Sequence, residues 1–146
     1  MNQVQPYPLW LGHAGDGRNF KQILDAGIKG VVHLAAEEPT PQLPRDLIFF
    51  RFPLVDGADN GSHLLLLTLG TVAHLLKMQL PTLLYCSAGM SRSPTIAAAA
   101  LAILQRENPD VTLQAVAKSH RVDVSPALWQ DVKAHCLRVM QLASDA

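Results

Sequence analysis

Short apolar runs alternate with longer amphipathic segments along the chain. Runs of aliphatic and β-branched residues bounded by glycine, proline or polar residues predict buried strands at 9–11, 31–34, 47–52 and 82–85. Apolar residues at helical spacing predict helices at 18–26, 62–79, 112–120 and 127–142. A further helix at 94–105 is apolar on nearly every face, which is typical of the middle of a domain. Strands that alternate with helices indicate an α/β layer fold.

The predicted helix ends coincide with residue types that commonly cap helices. We expect these caps: Asp16 and Gly27 for the helix at 18–26, Ser62 for 62–79, Asp110 or Thr112 for 112–120, and Ser125 followed by Pro126 for 127–142. Between the strand at 47–52 and the helix at 62–79, residues 53–61 are rich in Asp, Asn and Gly. This composition predicts an exposed loop, and loops of this kind often carry functional residues.

The composition sharpens this picture of one globular domain. The chain has 146 residues, of which 49% are hydrophobic and 16% charged, so it is long and apolar enough to bury a core. We expect a single domain over 1–146. Twelve Lys and Arg residues balance twelve Asp and Glu residues. Because the net charge is zero, it does not attract nucleic acid or an anionic membrane, and we expect neither as a partner. Any anion must be bound by a local arrangement of donor groups.

The two cysteines and the N-terminal segment favour an intracellular protein, and we separately expect it to be a monomer. Cys86 and Cys136 are too few to staple a chain of this size, so we expect reduced thiols. Residues 1–10 lack the charged and apolar regions of a signal peptide, and the longest apolar run, 96–104, is far shorter than the roughly 18 to 20 residues that span a bilayer. The expected location is therefore the cytoplasm, with no membrane helix.

The segment from Cys86 to Ser93 carries the strongest chemical signal. It joins a predicted buried strand to the start of a predicted buried helix, with Gly89 inside the tight loop and Arg92 at the helix N-terminus. Backbone amides in such a loop, the helix dipole and the guanidinium fork together make an anion pocket. The same positive surroundings favour the thiolate form of Cys86 at neutral pH. A thiolate facing a bound phosphate is a nucleophile in position.

The spacing Cys86-x5-Arg92, followed by Ser93, resembles the signature of the cysteine-dependent protein tyrosine phosphatases. The short chain is similar to the dual-specificity branch in particular, and the resemblance runs nearly end to end in the order of its elements. It implies a central, mostly parallel sheet of about four or five strands with helices on both faces, and the signature loop at the carboxyl end of a strand. It also implies hydrolysis of phosphotyrosine and of phosphoserine or phosphothreonine in proteins or peptides, without a metal or other cofactor.

The resemblance assigns roles to individual residues. Cys86 attacks phosphorus to form a phosphocysteine. Asp56, 30 residues before Cys86, is the general acid and then the general base, with Asp59 as the rival in the same loop. The Ser93 hydroxyl assists departure of the cysteine sulfur. Phosphate is bound by the loop residues Ser87, Ala88, Gly89, Met90, Ser91 and Arg92.

One residue departs from the family pattern. The family usually has histidine immediately before the nucleophile, where its hydrogen bonds help to hold the loop, and this sequence has Tyr85. We therefore expect an active enzyme whose Cys86 thiol is somewhat less acidic than is usual in the family.

Other interpretations of these residues stay open. A phosphopeptide-binding module needs the anion pocket but neither Cys86 nor Asp56, and a phosphatase acting on a non-protein ester is an alternative, although uncharged loop residues disfavour lipid headgroups. Sulfur transfer does not need the acid, and arsenate reduction needs a resolving thiol, for which Cys136 is the sole candidate. The six histidines show no metal-ligand spacing. Arg121 and Asp123 are a candidate ion pair beside the loop.

Overall fold

The computed structural model describes residues 1–145. The strands are β1 (Asn2–Gln3), β2 (Leu9–Gly12), β3 (Gly30–Ala35), β4 (Ile48–Leu54) and β5 (Thr82–Tyr85). The helices are α1 (Ala14–Gly17), α2 (Phe20–Asp25), α3 (Ser62–Lys77), α4 (Arg92–Gln105), α5 (Pro109–Ser119) and α6 (Pro126–Asp145). None of the described helices combines the length and the apolar composition needed to cross a membrane.

The five strands form one sheet in the order β1-β2-β5-β3-β4, and only β1 is antiparallel to its neighbour. Strand β5 is central, and its last residue, Tyr85, pairs with Gly12 of β2 and His33 of β3. The prediction of a mostly parallel α/β sheet is therefore confirmed. The carboxyl ends of β2, β5 and β3 meet at one edge, where open α/β sheets bind ligands.

Helices cover both faces of the sheet. Helix α4 lies at the centre of one face, between α3, α5 and α6, and its alanine-rich segment from Ile96 to Ala102 is buried throughout. The opposite face is closed by α1 and α2, whose Ile23 packs with Val31 and Leu83 in a second, smaller core. Because α4 is enclosed on every side, all of its faces are apolar. Its small alanine side chains let the surrounding helices pack closely against it.

The N-terminal region differs from the prediction. Strand β1 was not expected, because two polar residues carry no strand pattern. Asp16 does not cap the helix near residue 18; it lies inside the short helix α1, where it forms a reciprocal capping box with His13, and Asn19 caps α2 instead. Gly27 does follow the end of α2, with a left-handed φ of 76°.

Two other caps were also predicted wrongly. Helix α3 begins at Ser62 itself, with Gly61 as an N-cap that makes no side-chain hydrogen bond. Helix α5 begins at Pro109, three residues earlier than predicted, because Asn108 caps it and proline suits the first helical turn. Strand β4 extends through Pro53, which an edge strand tolerates because its outer side needs no amide donor.

Candidate active site

The predicted nucleophile lies between the central strand and the central helix. Cys86 directly follows β5, is 2% exposed, and its amide donates to the carbonyl oxygen of Gly12 at 3.4 Å. Arg92 begins α4, with five residues between it and Cys86. The sheet edge and the amino end of α4 therefore enclose the loop from both sides, as the sequence predicted.

Gly89 makes the tight curl of this loop possible. Its φ is +78°, a left-handed conformation that residues with a side chain rarely adopt. A Cβ atom at this position would lie 2.8 Å from the carbonyl carbon and oxygen of Gly12. Both the backbone angle and the close approach to β2 therefore require glycine.

Groups outside the loop bind its carbonyl oxygens. The Ser87 oxygen accepts from the Ala14 amide at 3.0 Å, the Met90 oxygen accepts from the Asp123 amide at 2.7 Å, and the Gly89 oxygen lies 2.5 Å from Nε2 of His120. In a trans peptide the C=O and N–H bonds point in opposite directions. The next amides along the chain, those of Ala88, Met90 and Ser91, are thus directed to the inner side of the loop, where they suit a bound anion.

Arg92 is buried, with 4% of its side chain exposed, and is held by a carboxylate. Its Nη1 and Nη2 atoms donate to the two oxygens of Glu37 at 2.5 and 2.7 Å, and Nη1 also donates to the Leu54 carbonyl oxygen at 2.8 Å. Glu37 thus occupies the end of the guanidinium fork. The Nε atom has no partner in the described structure, so the side edge of the fork, Nε–H with the second Nη2–H, remains for an anion.

The Glu37–Arg92 pair fixes the charges of both groups. Hydrogen bonding from Arg92 lowers the pKa of Glu37 to about 2. Burial disfavours the charged guanidinium, but the Glu37 carboxylate outweighs burial and raises the pKa of Arg92. Sequence reasoning missed Glu37, which lies two residues after the end of β3; it reaches Arg92 because the carboxyl ends of β3 and β5 are neighbours in the sheet.

The loop between β4 and α3 brings Asp56, and not Asp59, to the pocket lining. The Asp56 Oδ1 atom accepts a 2.5 Å hydrogen bond from the Ser91 hydroxyl, whose oxygen in turn accepts from the Ser125 amide at 2.9 Å. Asn60 stabilises the loop, because its side chain bonds both the amide and the carbonyl of Val55 at 2.8 and 2.9 Å. The loop is therefore well defined, with Asp56 bound to the signature segment.

The pocket that these groups form has a volume of about 280 Å³. Its lining includes Cys86, Arg92 and the loop residues Ser87, Ala88, Met90 and Ser91. Three carboxylates also line it: Glu37, Asp56 and Asp123. Of the predicted phosphate-binding residues, Gly89 alone is absent from this lining; it packs against Gly12 and forms the tight turn of the loop.

Ser93 is fully buried in the first turn of α4. Its hydroxyl has no hydrogen-bond partner in the described part of the chain, so the expected bond to the Cys86 sulfur is not formed in this structure. Its proposed role in releasing sulfur stays a prediction.

Tyr85, the departure from the family pattern, faces away from Cys86. Consecutive strand residues point to opposite faces of a sheet, and the Tyr85 ring lies in the smaller core, stacked on His33 with a centroid separation of 4.8 Å. Its hydroxyl has no partner among the described residues, and burial raises its pKa to about 12. Since no hydrogen bond joins Tyr85 to the loop through its side chain, other groups hold the loop.

Three further expectations concern a resolving thiol, an ion pair and a metal site. Cys136 is buried on α6, where its thiol donates to the Ala99 carbonyl oxygen at 3.4 Å and burial raises its pKa to about 11. Within residues 1–145, Arg121 and Asp123 form no ion pair; the backbone amide of Asp123 braces the loop instead. The described residues contain no cluster of three side chains able to hold a metal ion.

The fold is that of known phosphatases. No family model matches the chain, and no curated protein matches it. Among solved structures, human DUSP28 is similar over 100% of both chains, with a TM-score of 0.81 at 22% identity. A mouse putative dual specificity phosphatase complexed with zinc tungstate gives 0.83 at 22% identity over 97% of this chain and 89% of that one. PTPMT1 in complex with PI(5)P gives 0.72 at 17% identity over 97% of each chain. The chain therefore has the dual-specificity phosphatase fold, as the sequence resemblance implied.

Proposed function

We propose that this protein is a phosphatase that hydrolyses phosphate monoesters through a phosphocysteine on Cys86. One observation carries the proposal: the Cys86 thiol and the unpartnered edge of Arg92 line one pocket whose loop carbonyls are bound from outside. Donors are thereby directed at the position of a phosphoryl group before it binds, which is the arrangement that stabilises charge in phosphoryl transfer.

The reaction has two displacements. The Cys86 thiolate attacks phosphorus and forms an S–P bond while the ester O–P bond breaks, and Asp56 gives its proton to the leaving oxygen. Water then attacks phosphorus, Asp56 takes a proton from it, and the S–P bond breaks to release inorganic phosphate. Because Ser91 bonds Oδ1 of Asp56, the other carboxyl oxygen is available for the transferred proton.

We further propose phosphotyrosine and phosphoserine or phosphothreonine in proteins as the substrates. The pocket's small volume suits one phosphoryl group rather than an elaborate headgroup. The solved complex of PTPMT1 contains PI(5)P, a phosphoinositide. Here Glu37, Asp56 and Asp123 line the pocket together with the guanidinium of Arg92, and this excess of carboxylates disfavours a substrate with several negative charges.

The test is hydrolysis of a small aryl phosphate and of phosphopeptides, in the presence of a chelator, by wild type and Cys86→Ser. We expect turnover by wild type without added metal and none by Cys86→Ser. The matched control is Cys136→Ser, because Cys136 is buried away from the pocket. We expect this control to retain wild-type turnover.

A binding measurement distinguishes the enzyme from a binding module. Tungstate, the oxyanion in the mouse complex, and inorganic phosphate are tetrahedral anions that report the pocket by isothermal titration calorimetry. Binding of either anion without hydrolysis of any substrate by wild type would assign a phosphopeptide-binding role. Equal turnover by Cys86→Ser and wild type would overturn the phosphocysteine mechanism.

A further inference from the structure

The Gly89 carbonyl oxygen is held by a side chain from outside the loop. Nε2 of His120, the residue that ends α5, lies 2.5 Å from this oxygen. A carbonyl oxygen only accepts hydrogen bonds, so Nε2 must carry a proton. His120 is therefore a donor to the loop, at the residue whose left-handed conformation sets the curl.

A second contact fixes the orientation of the His120 ring. Its Nδ1 atom lies 3.0 Å from Nδ2 of Asn2 on β1. With the proton on Nε2, Nδ1 of the neutral ring accepts from the Asn2 amide. The imidazole is thus bound on both sides, by the N-terminal strand and by the loop.

The loop needs such a restraint at this point. Gly89 lacks a Cβ atom, so the peptide between Gly89 and Met90 can rotate more easily than the other peptides of the loop. Rotation would direct the Gly89 oxygen to the pocket and the Met90 amide away from it. A bound anion would then meet a carbonyl dipole of the wrong sign in place of a donor.

We infer that His120 is a positioning residue that locks this peptide with its Met90 amide directed at the bound oxyanion. The inference rests on the proposed function, because it assumes that the loop binds phosphate. The amide binds the dianion in the ground state and in the transition state, so its loss should raise KM and the Kd of phosphate much more than it lowers kcat.

Two amide variants test the inference. In His120→Gln the side-chain NH2 group reaches about as far as Nε2 of histidine, whereas in His120→Asn the chain is one methylene shorter and cannot replace that donor. For His120→Asn we expect a rise of about 10-fold in KM for an aryl phosphate and in Kd for inorganic phosphate, the effect of one lost hydrogen bond. For His120→Gln we expect values within about 2-fold of wild type, because the donor is kept.

The controls separate positioning from folding. His135→Asn makes the same change on α6, where the ring contacts Ser62 and Asp131 instead of the loop, and it should leave both constants unchanged. Melting temperatures of all variants report the fold. If His120→Asn does not fold, Asn2→Ala, which removes an exposed side chain that orients the ring, should still raise the Kd of phosphate by about 2-fold.

The outcomes distinguish this inference from the proposed function. If folded His120→Asn binds phosphate as wild type does, or if His120→Gln loses as much affinity as His120→Asn, the inference is overturned while the phosphatase proposal stands. If His120→Asn does not fold, an unchanged Kd of phosphate in Asn2→Ala overturns the inference. Failure of wild type to bind phosphate at all overturns the proposed function first, and the inference with it.

Discussion

Glu37 and Asp56 line the same pocket and both bind the signature segment, yet their partners differ in charge. Glu37 is bound by two nitrogens of the Arg92 guanidinium, which lowers its pKa to about 2 and keeps it ionised. Asp56 is bound by the neutral Ser91 hydroxyl and forms no ion pair within the described residues. A carboxylate fixed by a cation can orient but not donate a proton, whereas one bound by a hydroxyl can gain and lose a proton during turnover. The comparison therefore supports the proposal that Asp56 is the acid–base residue, and we propose a positioning role for Glu37.

The largest effect is expected for Asp56→Asn. On a phosphopeptide with a poor leaving group, kcat should fall by about 10²- to 10⁴-fold, because the leaving oxygen is no longer protonated. On p-nitrophenyl phosphate, whose leaving group is already stable as an anion, the fall should be much smaller. Steady-state kinetics on the two substrates measures the difference.

Asp59→Asn is the matched control for the acid, since Asp59 belongs to the same loop but does not line the pocket. It should retain wild-type kcat on both substrates. A loss confined to Asp59→Asn would exchange the roles of the two loop residues and break the assignment of Asp56.

The next largest effect is expected for Glu37→Gln. Neutralising Glu37 leaves the buried Arg92 charge without its counter-ion and frees the fork to rotate. A misplaced catalytic group costs up to about 10²-fold, so we expect kcat/KM for all substrates to fall by about 10- to 10²-fold, without the leaving-group dependence of Asp56→Asn. Glu107→Gln, at the opposite end of α4, is the control.

The pH dependence of the same pair has a defined sign. The folded-state pKa of Glu37, about 2, lies below its ordinary value of 4.5. The stability that the pair contributes is therefore complete above pH 4.5 and is lost as the pH falls toward 2.

In the kinetics of Glu37→Gln, a larger loss on the phosphopeptide than on p-nitrophenyl phosphate would show that this carboxylate also transfers protons.

These residues also show how far sequence patterns reach. The loop from Cys86 to Ser93 was predictable because its chemistry lies in one continuous segment, and the strand and helix beside it have strong apolar patterns. Glu37 and His120 were not predicted as parts of the site, because each meets the loop only through the order of strands and the path of α5. Asp123 was predicted beside the loop, but as the ion-pair partner of Arg121 rather than through its backbone amide. Sequence spacing between 37 and 92 contains no such information; it arises when β3 and β5 become neighbours.

The capping errors have a similar origin. Asp16 and Thr112 are good caps by residue type, but Asn19 and Asn108 occupy the actual ends. Several residues within a few positions could cap each helix, and packing decides among them. The sheet was predicted better than the caps, since a buried strand needs an apolar run that few other segments possess.

A smaller effect is expected for Ser91→Ala, which leaves Asp56 in the pocket without its hydroxyl partner. The loss of one hydrogen bond corresponds to about 1 kcal/mol, so kcat on phosphopeptides should fall by about 5-fold, with little change on p-nitrophenyl phosphate. Ser91→Thr keeps the hydroxyl and should retain most of the activity. Equal losses on both substrates would indicate that Ser91 supports the loop rather than the acid.

The smallest effect is expected for the pH dependence of the melting temperature, through the buried His33. His33 is fully buried, its Nδ1 accepts from the Ala35 amide at 3.1 Å, and its Nε2 lies 3.2 Å from the Glu38 carbonyl oxygen. Burial lowers its pKa below the ordinary value of 6.5. A buried neutral histidine stabilises the fold fully above pH 6.5, and this contribution is lost as the pH falls from 6.5 through the folded-state value.

The melting temperature of wild type should therefore decline between pH 7 and pH 5, an interval in which Glu37, with its pKa of about 2, stays ionised in the folded protein. His33→Gln removes the titrating group while offering a similar donor, so its melting temperature should change less over the same interval. A wild-type melting temperature that is constant between pH 7 and pH 5 would show that His33 does not contribute. In that case a loss of activity between pH 7 and pH 5 could not be attributed to destabilisation of the fold through His33.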